Sequence, residues 1–405
     1  MAVDPPAGTK RLLVLGAGPA QLGLLEAAAA REDVLVIALD RDPAAIGFAL
    51  ADRRALVSTE DEVAIEQLAR AEGVDGIVAP GIDWPVAIAA RVAAKLELPH
   101  PLSPQTAQLA TSKQRQRGRF AEAGVAQPRW AVLGQAEDAE AALRSVGLPC
   151  VVKAPDRQGQ RGLTVVRREE ELGAAIEVAR EASRSGSVIL EELVEGPEVT
   201  VVSFSQRGRF APLAVTDREC GEQAFGVALA HVFPSAHAEE AAALAEAAAA
   251  AVGLVDGPAY TQIVLGADGA RVVELAARLG GGHDAELVEA VTGAPLNALV
   301  VAAALGEELP LFEPAPRGGG VTRFLVPPVG ELRAVEGVAE VAALPGIERV
   351  RVYRRPGHRF DELRVGADRA GAVLAVGDSR DEALARADAA AEAIRFVVEP
   401  VAAPA

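Results

Sequence analysis

The sequence predicts an α/β protein with more than one domain. The chain has 405 residues, which is more than a single compact domain usually contains. Its N-terminal region alternates short apolar runs with helical patterns, as a parallel β-sheet flanked by helices does. Further along, pairs of short strand-like runs flank glycine-containing turns, which is typical of β-hairpins.

The composition narrows the class of protein. Hydrophobic residues make up 50% of the chain and charged residues 24%, as in globular proteins. The net charge is -17 and the sequence has no basic block, which disfavours a nucleic-acid partner. Cys150 and Cys220 are too few for a disulfide framework, so we expect small buried thiols in a reducing compartment. Residues 1–9 lack a signal peptide's apolar stretch, and no apolar run approaches the ~20 residues of a membrane helix. We therefore expect a cytoplasmic protein without a nucleic-acid or membrane partner.

The first region, from residue 10 to about 109, is predicted to be a parallel β-α domain. The run at 12–15 is continuously apolar, which favours a strand buried on both faces. Strands alternate with helices along the rest of the region. Further strands are predicted at 34–40 and 76–79, and helices at 61–72 and 84–96.

A glycine-containing turn after the first strand raises an alternative function. Gly16 and Gly18, with Asp40 at the end of the next strand, are similar to a dinucleotide-binding motif. Gln21 occupies the place of the third glycine, and Gly23 lies beyond it. A helix N-terminus near Gly18 could also bind a substrate phosphate or carboxylate. An NAD-dependent dehydrogenase therefore remains an alternative of another class.

Lys153 ends an apolar strand and is followed by a loop with cations and two glycines. Gly159 and Gly162 allow the backbone to turn its N–H groups toward an anion. A lysine at the strand end is a point charge suited to phosphate oxygens. The segment indicates a nucleoside triphosphate site, although an ordinary hairpin with a solvated lysine remains compatible with this run alone.

The order of motifs around this loop resembles a known superfamily. Lys113 opens a predicted helix that runs to about residue 123, and the helix is followed by the sequence Gly-Val-Ala-Gln-Pro at 124–128. Together with Lys153 and its loop, this order resembles the ATP-grasp superfamily, and the resemblance extends over residues 10–399.

The resemblance implies an ATP-grasp fold and a division into three domains. Residues 1–110 would form a Rossmann-like pre-ATP-grasp domain, residues 111–315 the core with a mobile lid at about 131–192, and residues 316–405 a C-terminal α/β domain. It also assigns residues to ATP. Lys113 and Lys153 would contact the nucleotide, and the loop at 158–162, with Gly159, Arg161 and Gly162, would cover its phosphates.

The segment 188–201 reads as strand, turn, strand, and it carries several carboxylates. A carboxylate beside apolar residues can accept a hydrogen bond from the adenine amino group, and one after the Gly-Pro turn can accept from ribose hydroxyls. By resemblance, Glu191, Glu192 and Val194 belong to the adenine-binding segment, and Glu198 holds the ribose. Surface acids on an edge strand are the alternative.

A hairpin around the turn at 266–269 is predicted to hold a metal ion. Gln262 and Glu274 lie symmetrically about Asp268, so they should be close cross-strand neighbours. Two oxygen ligands together with triphosphate oxygens suit Mg²⁺, and Mn²⁺ is also allowed. Most relatives have glutamate at the first place and asparagine two residues after the second, where this chain has Gln262 and Ala276. Gln262 resembles carbamoyl-phosphate synthetase, and the motif at 274–278 resembles L-amino acid ligases. We expect one Mg²⁺, and a second ion is left open.

The glycine-rich run after the hairpin is a candidate site for the reacting phosphate. Gly281 and Gly282 precede a predicted helix and expose backbone donors to an anion, and Arg278 adds a fork that fits phosphate or carboxylate. By resemblance, the acyl phosphate lies here. His283 is a weaker substrate candidate, and we expect Asp284 to be a helix N-cap.

Further substrate candidates have weaker signals. Asp83 follows a strand on the ligand-facing side of the parallel sheet. His231 and the charged residues at 217–219 lie around a segment that we expect near the substrate. Residues 319–399 read as a further α/β region that resembles the C-terminal domain of biotin carboxylase-like and amino acid ligase-like relatives.

The parts together predict an ATP-dependent ligase that forms a C–N bond. A substrate carboxylate would attack the γ-phosphate, and the resulting acyl phosphate would react with an amine, releasing ADP and phosphate; we expect an amino acid to be one of the two substrates. Lys153 and Arg278 would stabilise the developing charge. A carboxyphosphate-using enzyme of nucleotide or carbamoyl metabolism and a catalytically inactive ATP-binding regulator are the alternatives. Related enzymes are commonly dimers, so a homodimer is implied by resemblance.

Overall fold

A computed structural model describes residues 6, 8–134, 139–157, 159–221, 225–310 and 312–400. The strands are β1 (Lys10–Leu15), β2 (Val34–Asp40), β3 (Arg53–Leu56), β4 (Gly76–Val78), β5 (Trp130–Leu133), β6 (Cys150–Lys153), β7 (Leu163–Val166), β8 (Val188–Glu192), β9 (Glu198–Gln206), β10 (Arg209–Cys220), β11 (Ala228–Phe233), β12 (Gly257–Gly266), β13 (Gly269–Ala276), β14 (Gly319–Leu325), β15 (Gly330–Glu336), β16 (Ile347–Val352), β17 (Arg359–Phe360), β18 (Gly371–Gly377) and β19 (Arg395–Glu399). The helices are α1 (Leu22–Ala29), α2 (Glu62–Glu72), α3 (Trp84–Lys95), α4 (Pro104–Ala110), α5 (Lys113–Glu122), α6 (Ala139–Val146), α7 (Leu172–Ala182), α8 (Ala238–Ala251), α9 (Asp284–Thr292), α10 (Leu296–Ala304), α11 (Val338–Ala342) and α12 (Arg380–Ala393).

The first sheet is parallel, as predicted. Its strand order is β3-β2-β1-β4, and every neighbouring pair is parallel. The strands and helices predicted in this region are confirmed within a residue or two at their ends, except that α1 begins after a short 3₁₀ turn. Strand β3 was not predicted, because its four residues Arg53–Leu56 carry two arginines and alternate in burial. The carboxyl ends of the strands place the loop with Asp83 toward the rest of the molecule.

Residues 130–192 form a separate antiparallel unit, which we call the lid sheet. Its strand order is β5-β8-β6-β7, with α6 and α7 packed against it. Lys153 pairs with Leu163 across β6 and β7, so the predicted strand pair around the loop is confirmed. Glu191 lies on β8 between two other strands, which excludes the edge-strand alternative. Residues 135–138 and Gln158 of this segment lie outside the described residues.

The largest sheet, which we call the central sheet, has eight strands in the order β13-β12-β9-β10-β11-β14-β18-β16. The predicted hairpin is confirmed, with Gln262 directly opposite Glu274. Strands from the C-terminal segment continue this sheet, because β14 pairs with β11, placing Thr322 opposite His231. The boundary predicted at 315/316 therefore falls within one continuous sheet, and the three-domain division stays a prediction. A small sheet of order β17-β15-β19 completes the C-terminal segment.

Helices α9 and α10 link the sheets. We call residues 10–109, which contain strands β1–β4, the first sheet's region. Helix α9 packs against β14, and α10 packs against α1 of the first sheet's region. In the described part of the chain no single helix is long and apolar enough to span a bilayer, while α9 and α10 together meet that criterion by length and composition but are bent by 117°. This packing fixes the glycine-rich run before α9 between the first sheet and the central sheet.

We predict that Gly320→Val destabilises the junction between β14 and α9. A Cβ added at Gly320 would overlap the methyl groups of Val291 and Leu287, so the unfolding free energy should fall by about 1–3 kcal/mol. Thr322→Val, two residues along the same face, is the matched control, because Thr322 is fully buried and its hydroxyl has no hydrogen-bond partner among the described residues. Urea unfolding should show no loss in the control, and equal stability of both variants would contradict this packing.

Candidate active site

Two connected cavities lie at the junctions of the sheets. The first, of about 320 Å³, lies between the lid sheet and the central sheet. The second, of about 380 Å³, lies between the loops of the first sheet, the central sheet and the C-terminal segment. A ligand that extends from one cavity into the other must pass the residues that line both. These shared residues are Gly159, Gln160, Arg161, Arg218, Gln262 and Glu274.

Lys153 lies in a buried cluster of charges. Its Nζ is 2.7 Å from Oε2 of Glu191. Arg117, on α5, donates to both oxygens of the same carboxylate, from Nε at 2.9 Å and from Nη2 at 3.0 Å. Arg117 also donates to the carbonyl groups of Val272 and Val273 on β13 and to Oε1 of Gln127 at 3.3 Å. One carboxylate of the lid sheet is thereby shared between a lid lysine and a core arginine.

The protonation states in this cluster follow from burial and charge. Burial alone would raise the pKa of Glu191, but Arg117 and Lys153 outweigh it and hold that pKa at about 2. Burial lowers the pKa of Lys153, and the charges of Arg117 and Lys113 add to this effect while Glu191 opposes it. Glu191 is therefore ionised at neutral pH.

The residues predicted for adenine and ribose line the first cavity, but their carboxylates have protein partners. Glu191, expected to accept from the adenine amino group, is engaged by Arg117 and Lys153 as described. Glu192 pairs with Arg129 at 3.0 Å. Val194 lines the cavity, and Glu198, the ribose candidate, pairs with Arg218. Adenine recognition by the Glu191 carboxylate is thus not supported, because that group already accepts three hydrogen bonds from cations.

Cys220 lies beside this ribose candidate. Its Sγ is 3.7 Å from Oε2 of Glu198. Cys150 is buried as expected, whereas Cys220 is only half-buried, which corrects the expectation for that thiol.

Lys113 and the two metal candidates meet where the cavities join. Lys113 Nζ is 2.7 Å from Oε1 of Glu274 and donates to the carbonyl of Arg157 at 2.9 Å. Burial would raise the pKa of Glu274, but Lys113 outweighs it and lowers that pKa, so the carboxylate is ionised. Gln262 donates its amide N–H to the Tyr260 hydroxyl at 3.3 Å, which leaves its amide oxygen as an acceptor.

These residues fit one Mg²⁺ whose coordination is completed by ligand oxygens. An amide oxygen and a carboxylate match the one or two protein ligands that Mg²⁺ usually takes beside phosphates and waters. Ala276 supplies no ligand at the third place. Among the described residues no group of three or more His, Cys, Asp and Glu side chains could hold a metal alone.

Arg278 lies in the second cavity and is held by Asp83. Its Nε and Nη2 atoms lie 2.8 Å and 2.7 Å from Oδ1 of Asp83, and its guanidinium carbon lies 5.4 Å from the centre of the Tyr260 ring. The contact spans the first sheet's region and the central sheet. Asp83 and Arg278, which belong to separate motifs in the sequence, therefore come together at one site. Gly281 and Gly282 line the same cavity.

Two histidines predicted as weak substrate contacts are placed differently. His231 lines the second cavity; burial lowers its pKa to about 4, so its ring is neutral at pH 7. His283 does not belong to the lining of the second cavity. Its ring binds Glu286 at 3.0 Å and the Tyr353 hydroxyl. The substrate role for His283 is therefore not supported. Asp284 begins α9 and accepts from Gly282 N–H at 3.1 Å, so it does not act as the expected N-cap.

The glycines of the loop after Lys153 have different surroundings. Gly159 and Arg161 line both cavities, as expected for a loop over phosphates. Gly162 does not line either cavity. Its carbonyl accepts from Ala154 N–H at 3.2 Å, and an added Cβ would overlap the Cβ of Ala182. Gly162 therefore permits close packing against the end of α7, and a phosphate contact is not supported.

The turn after β1 uses its donors internally. Gly18 N–H donates to Oε1 of Gln21 at 2.9 Å, and Ala17 N–H donates to Oδ2 of Asp40 at 3.0 Å. Gln21 also donates to the carbonyl of Pro80 at 2.7 Å. In dinucleotide-binding turns these groups face the pyrophosphate and the ribose. The side chain of Gln21 thus fills the turn in this chain.

Arginines that the sequence did not single out line the second cavity. Arg369 stacks 3.6 Å from the Phe324 ring and donates from Nε to the Gly366 carbonyl at 2.7 Å. Arg354 donates to the Ala367 carbonyl at 2.6 Å. Within the described ranges neither arginine forms an ion pair with a carboxylate, and burial lowers the pKa of Arg369. No local motif marks them, whereas Arg117 could have been found from its position one helical turn after Lys113.

We predict that Arg117→Met weakens the lid–core connection. The substitution leaves a buried carboxylate with one cation, so the unfolding free energy should fall by about 3 kcal/mol in urea titrations at pH 7. Adding Glu191→Gln should restore part of this loss. Arg168→Ala, which removes an exposed pair with Glu171, is the control and should change little. No difference between Arg117→Met and this control would contradict the role of the cluster.

The same cluster predicts a pH dependence. The pKa of Glu191 is about 2 in the folded chain against an ordinary value of 4.5, so its contribution to stability is complete above about 4.5 and is lost as the pH falls toward 2. Unfolding measured between these pH values should therefore show a steeper loss in the wild type than in Glu191→Gln.

Two family models match the chain. A model described as the ATP-grasp domain matches residues 118–284. A model described as the L-amino acid ligase C-terminal domain 2 matches residues 323–399. The first match includes the lid sheet and the Gln262–Glu274 hairpin, and the second includes Arg354 and Arg369.

Two curated proteins are similar over most of the chain. A formate-dependent phosphoribosylglycinamide formyltransferase from Anaeromyxobacter dehalogenans is 30% identical over 407 residues, covering 96% of this chain and 100% of the relative. An uncharacterized protein, y4rH, from Sinorhizobium fredii is 25% identical over 378 residues, covering 90% of this chain and 78% of that protein.

Solved structures share the fold at lower identity. An L-amino acid ligase from Bacillus licheniformis superposes with a TM-score of 0.82 at 21% identity, covering 96% of this chain and 99% of that chain. The biotin carboxylase domain dimer of a 2-oxoglutarate carboxylase from Hydrogenobacter thermophilus, solved with MgADP and bicarbonate, has a TM-score of 0.80 at 19% identity and covers 96% and 91%. At these identities the structures establish the fold alone. From the full-length relative and the two family models, the chain belongs to the ATP-grasp superfamily of C–N bond-forming ligases, which use ATP with Mg²⁺, and it carries an L-amino acid ligase C-terminal domain.

Proposed function

We propose that the chain is an ATP-dependent carboxylate–amine ligase that uses an amino acid as a substrate. The reaction would pass through an acyl phosphate and release ADP and phosphate as the amide forms. The observation that carries this proposal is the convergence of Lys113, Lys153 and Glu274, which are distant in sequence, on the first cavity, where Glu274 also lines the second. One cavity suits a nucleotide, and the other offers separate room for two small substrates.

The protein groups in this arrangement act by positioning and by charge. Lys153 and Lys113 face the first cavity and would bind phosphate oxygens, and Arg278 would stabilise charge on the transferred group from the second cavity. Asp83 holds Arg278 in its orientation. Mg²⁺, when bound through Gln262 and Glu274, would supply further positive charge against the phosphate oxygens. The chemistry needs no protein nucleophile, since the substrate carboxylate attacks phosphorus directly.

The residues of the second cavity favour an amine substrate that also carries an anionic group, such as an amino acid. Arg354 and Arg369 line it without a carboxylate partner among the described residues, so each can receive an anion. Arg278 and Arg218, in contrast, already have carboxylate partners. The neutral ring of His231 can accept a hydrogen bond from an amine in the same cavity. An α-amino acid carries both groups that these residues would bind.

A carboxyphosphate-using or formyl-transferring enzyme is the second candidate. It is favoured by the relative from Anaeromyxobacter dehalogenans, whose name describes formate-dependent transfer to phosphoribosylglycinamide. Both candidate enzymes would join a carboxylate to an amine, so they share a reaction class and differ in their substrates. A phosphate on the amine substrate would use the same arginines as a carboxylate would.

The dehydrogenase and the inactive regulator have less support. A dehydrogenase would need the donors of the turn at Gly18 for a dinucleotide, and these are used by Gln21 and Asp40. An inactive ATP-binding regulator would follow from Gln262 and Ala276, but Glu274 and both lysines remain in place. The homodimer inferred from related enzymes, a second metal ion and the use of Mn²⁺ stay predictions.

A product screen tests the proposal. The purified chain is incubated with ATP, Mg²⁺ and pools of amino acids and small acids, with and without formate and bicarbonate, and ADP, AMP, phosphate and new product masses are recorded. An amide of two amino acids with ADP release supports the ligase, whereas formate- or bicarbonate-dependent products support the second candidate. ATP binding without phosphate release in any pool would establish the inactive regulator.

We predict that Lys153→Ala and Glu274→Ala each lower ATP turnover at least about 100-fold, because each removes charge that acts on the triphosphate. Circular dichroism should show that the fold is retained. Lys95→Ala, which removes a surface pair with Glu62 and Glu66, is the matched control and should turn over ATP normally. Wild-type rates in either site variant would refute the assignment.

We further predict that Arg369→Met raises the KM for the amine substrate by about tenfold or more and leaves the KM for ATP unchanged, since a charged hydrogen bond to a substrate anion is lost. Arg355→Met, an exposed neighbour outside the cavity lining, serves as the control. An equal effect on both KM values would place the role of Arg369 elsewhere.

A further inference from the structure

Arg184 of the lid segment contacts the first sheet's region outside the two larger cavities. Arg184 follows α7, and its guanidinium carbon lies 4.1 Å from the centre of the Trp84 ring at the start of α3. Its Nη2 is 2.5 Å from Oε1 of Glu60. Trp84 and Glu60 both belong to the first sheet's region, whereas Arg184 belongs to the lid. We call these three residues the lid contact.

The lid contact is held rigidly on the lid side. Arg184 donates from Nη1 to the carbonyl of Asp156 at 2.9 Å. The Asp156 carboxylate in turn accepts from Ser185 N–H at 2.9 Å. Asp156 lies three residues after Lys153 on the same strand-to-loop segment. A shift of Arg184 relative to the first sheet's region would therefore be transmitted to the loop that follows Lys153.

The first sheet's side of the contact leads to the active site as well. Trp84 directly follows Asp83, the partner of Arg278. A small cavity of about 70 Å³ lies at this seam, and it is lined both by the lid contact and by Asp83 and Lys113. The lid contact thus lies on the same small cavity as Asp83 and Lys113 of the proposed active site.

We propose that Arg184 is a positioning residue that fastens the lid to the first sheet's region and keeps water from the acyl phosphate. It does not touch the reactants. An arginine over an aromatic ring with a carboxylate partner combines a cation–π contact with an ion pair at partly exposed side chains, so its loss should shift the closed lid population about tenfold. With the lid loosened, water replaces the amine at the acyl carbon. The acyl–oxygen bond to phosphate breaks, the carboxylate is regenerated, and ATP is hydrolysed without amide formation.

The inference rests on the proposed function for its kinetic readout, so a second readout is independent of catalysis. In Arg184→Ala we expect a several-fold rise in the KM for ATP and about a tenfold rise in phosphate released per amide formed. Hydrogen exchange of β6 and β8 in the ligand-free chain should become faster, while the melting temperature stays that of the wild type. Arg180→Ala, which removes a surface pair with Glu177 on α7, is the matched control.

Two further variants separate positioning from simple structural loss. Arg184→Lys keeps the pair with Glu60 and should restore most of the coupling between ATP use and amide formation. Trp84→Leu removes the ring and should resemble Arg184→Ala in hydrogen exchange. If Arg184→Ala matches the Arg180→Ala control in hydrogen exchange, the lid contact is refuted whatever the reaction. If exchange rises but the wild type makes no amide with any pool, the contact stands and the proposed function fails.

Discussion

The shared carboxylate of Glu191 is the constraint on which the site depends. A buried carboxylate must be compensated by cations, and here Arg117 on the core and Lys153 on the lid provide them together. Because Arg117 also binds carbonyl groups of β13, the same interaction fixes the lid sheet relative to the hairpin that carries Glu274. The lysine is thereby held close to the junction of the two cavities.

The distribution of paired and unpaired cations gives the two cavities different chemistry. Lys113 in the first cavity, Arg278 in the second and Arg218 in both each pair with a carboxylate. Arg354 and Arg369, which line the second cavity but not the first, donate hydrogen bonds to carbonyl groups and have no carboxylate partner among the described residues. Such a gradient favours a substrate whose reactive end lies at the junction and whose anionic end lies against the C-terminal segment.

The C-terminal segment is part of the site because of how the central sheet is built. Strands β14, β18 and β16 extend the sheet that begins with the Gln262–Glu274 hairpin, so one continuous set of hydrogen bonds connects the metal candidates with the loop that carries Arg369. Helix α9 packs against β14, and Gly281 of the glycine-rich run before it lies next to Gly81 and Ala20 of the first sheet's loops. Residues that would bind substrate groups in the second cavity are therefore positioned by the same sheet.

The sequence by itself determined those structural elements that depend on residues close together in the chain. Apolar runs and turn residues specify the parallel first sheet, and the spacing of Gln262 and Glu274 around the hairpin turn predicts that they are close cross-strand neighbours. Their exact pairing depends on a β-bulge between Gln262 and Ile263, without which Gln262 would lie opposite Val273. The two lysines and the glycine loop were likewise found from the order of motifs. Only the tertiary structure decided which partners the charged groups take. Glu191 was expected at adenine but binds Arg117 and Lys153, and Gly162 was expected at phosphate but packs against Ala182, because both outcomes depend on elements far away in sequence. Arg369 and Arg184 carry no local pattern, and their surroundings arise only when sheets from separate parts of the chain come together.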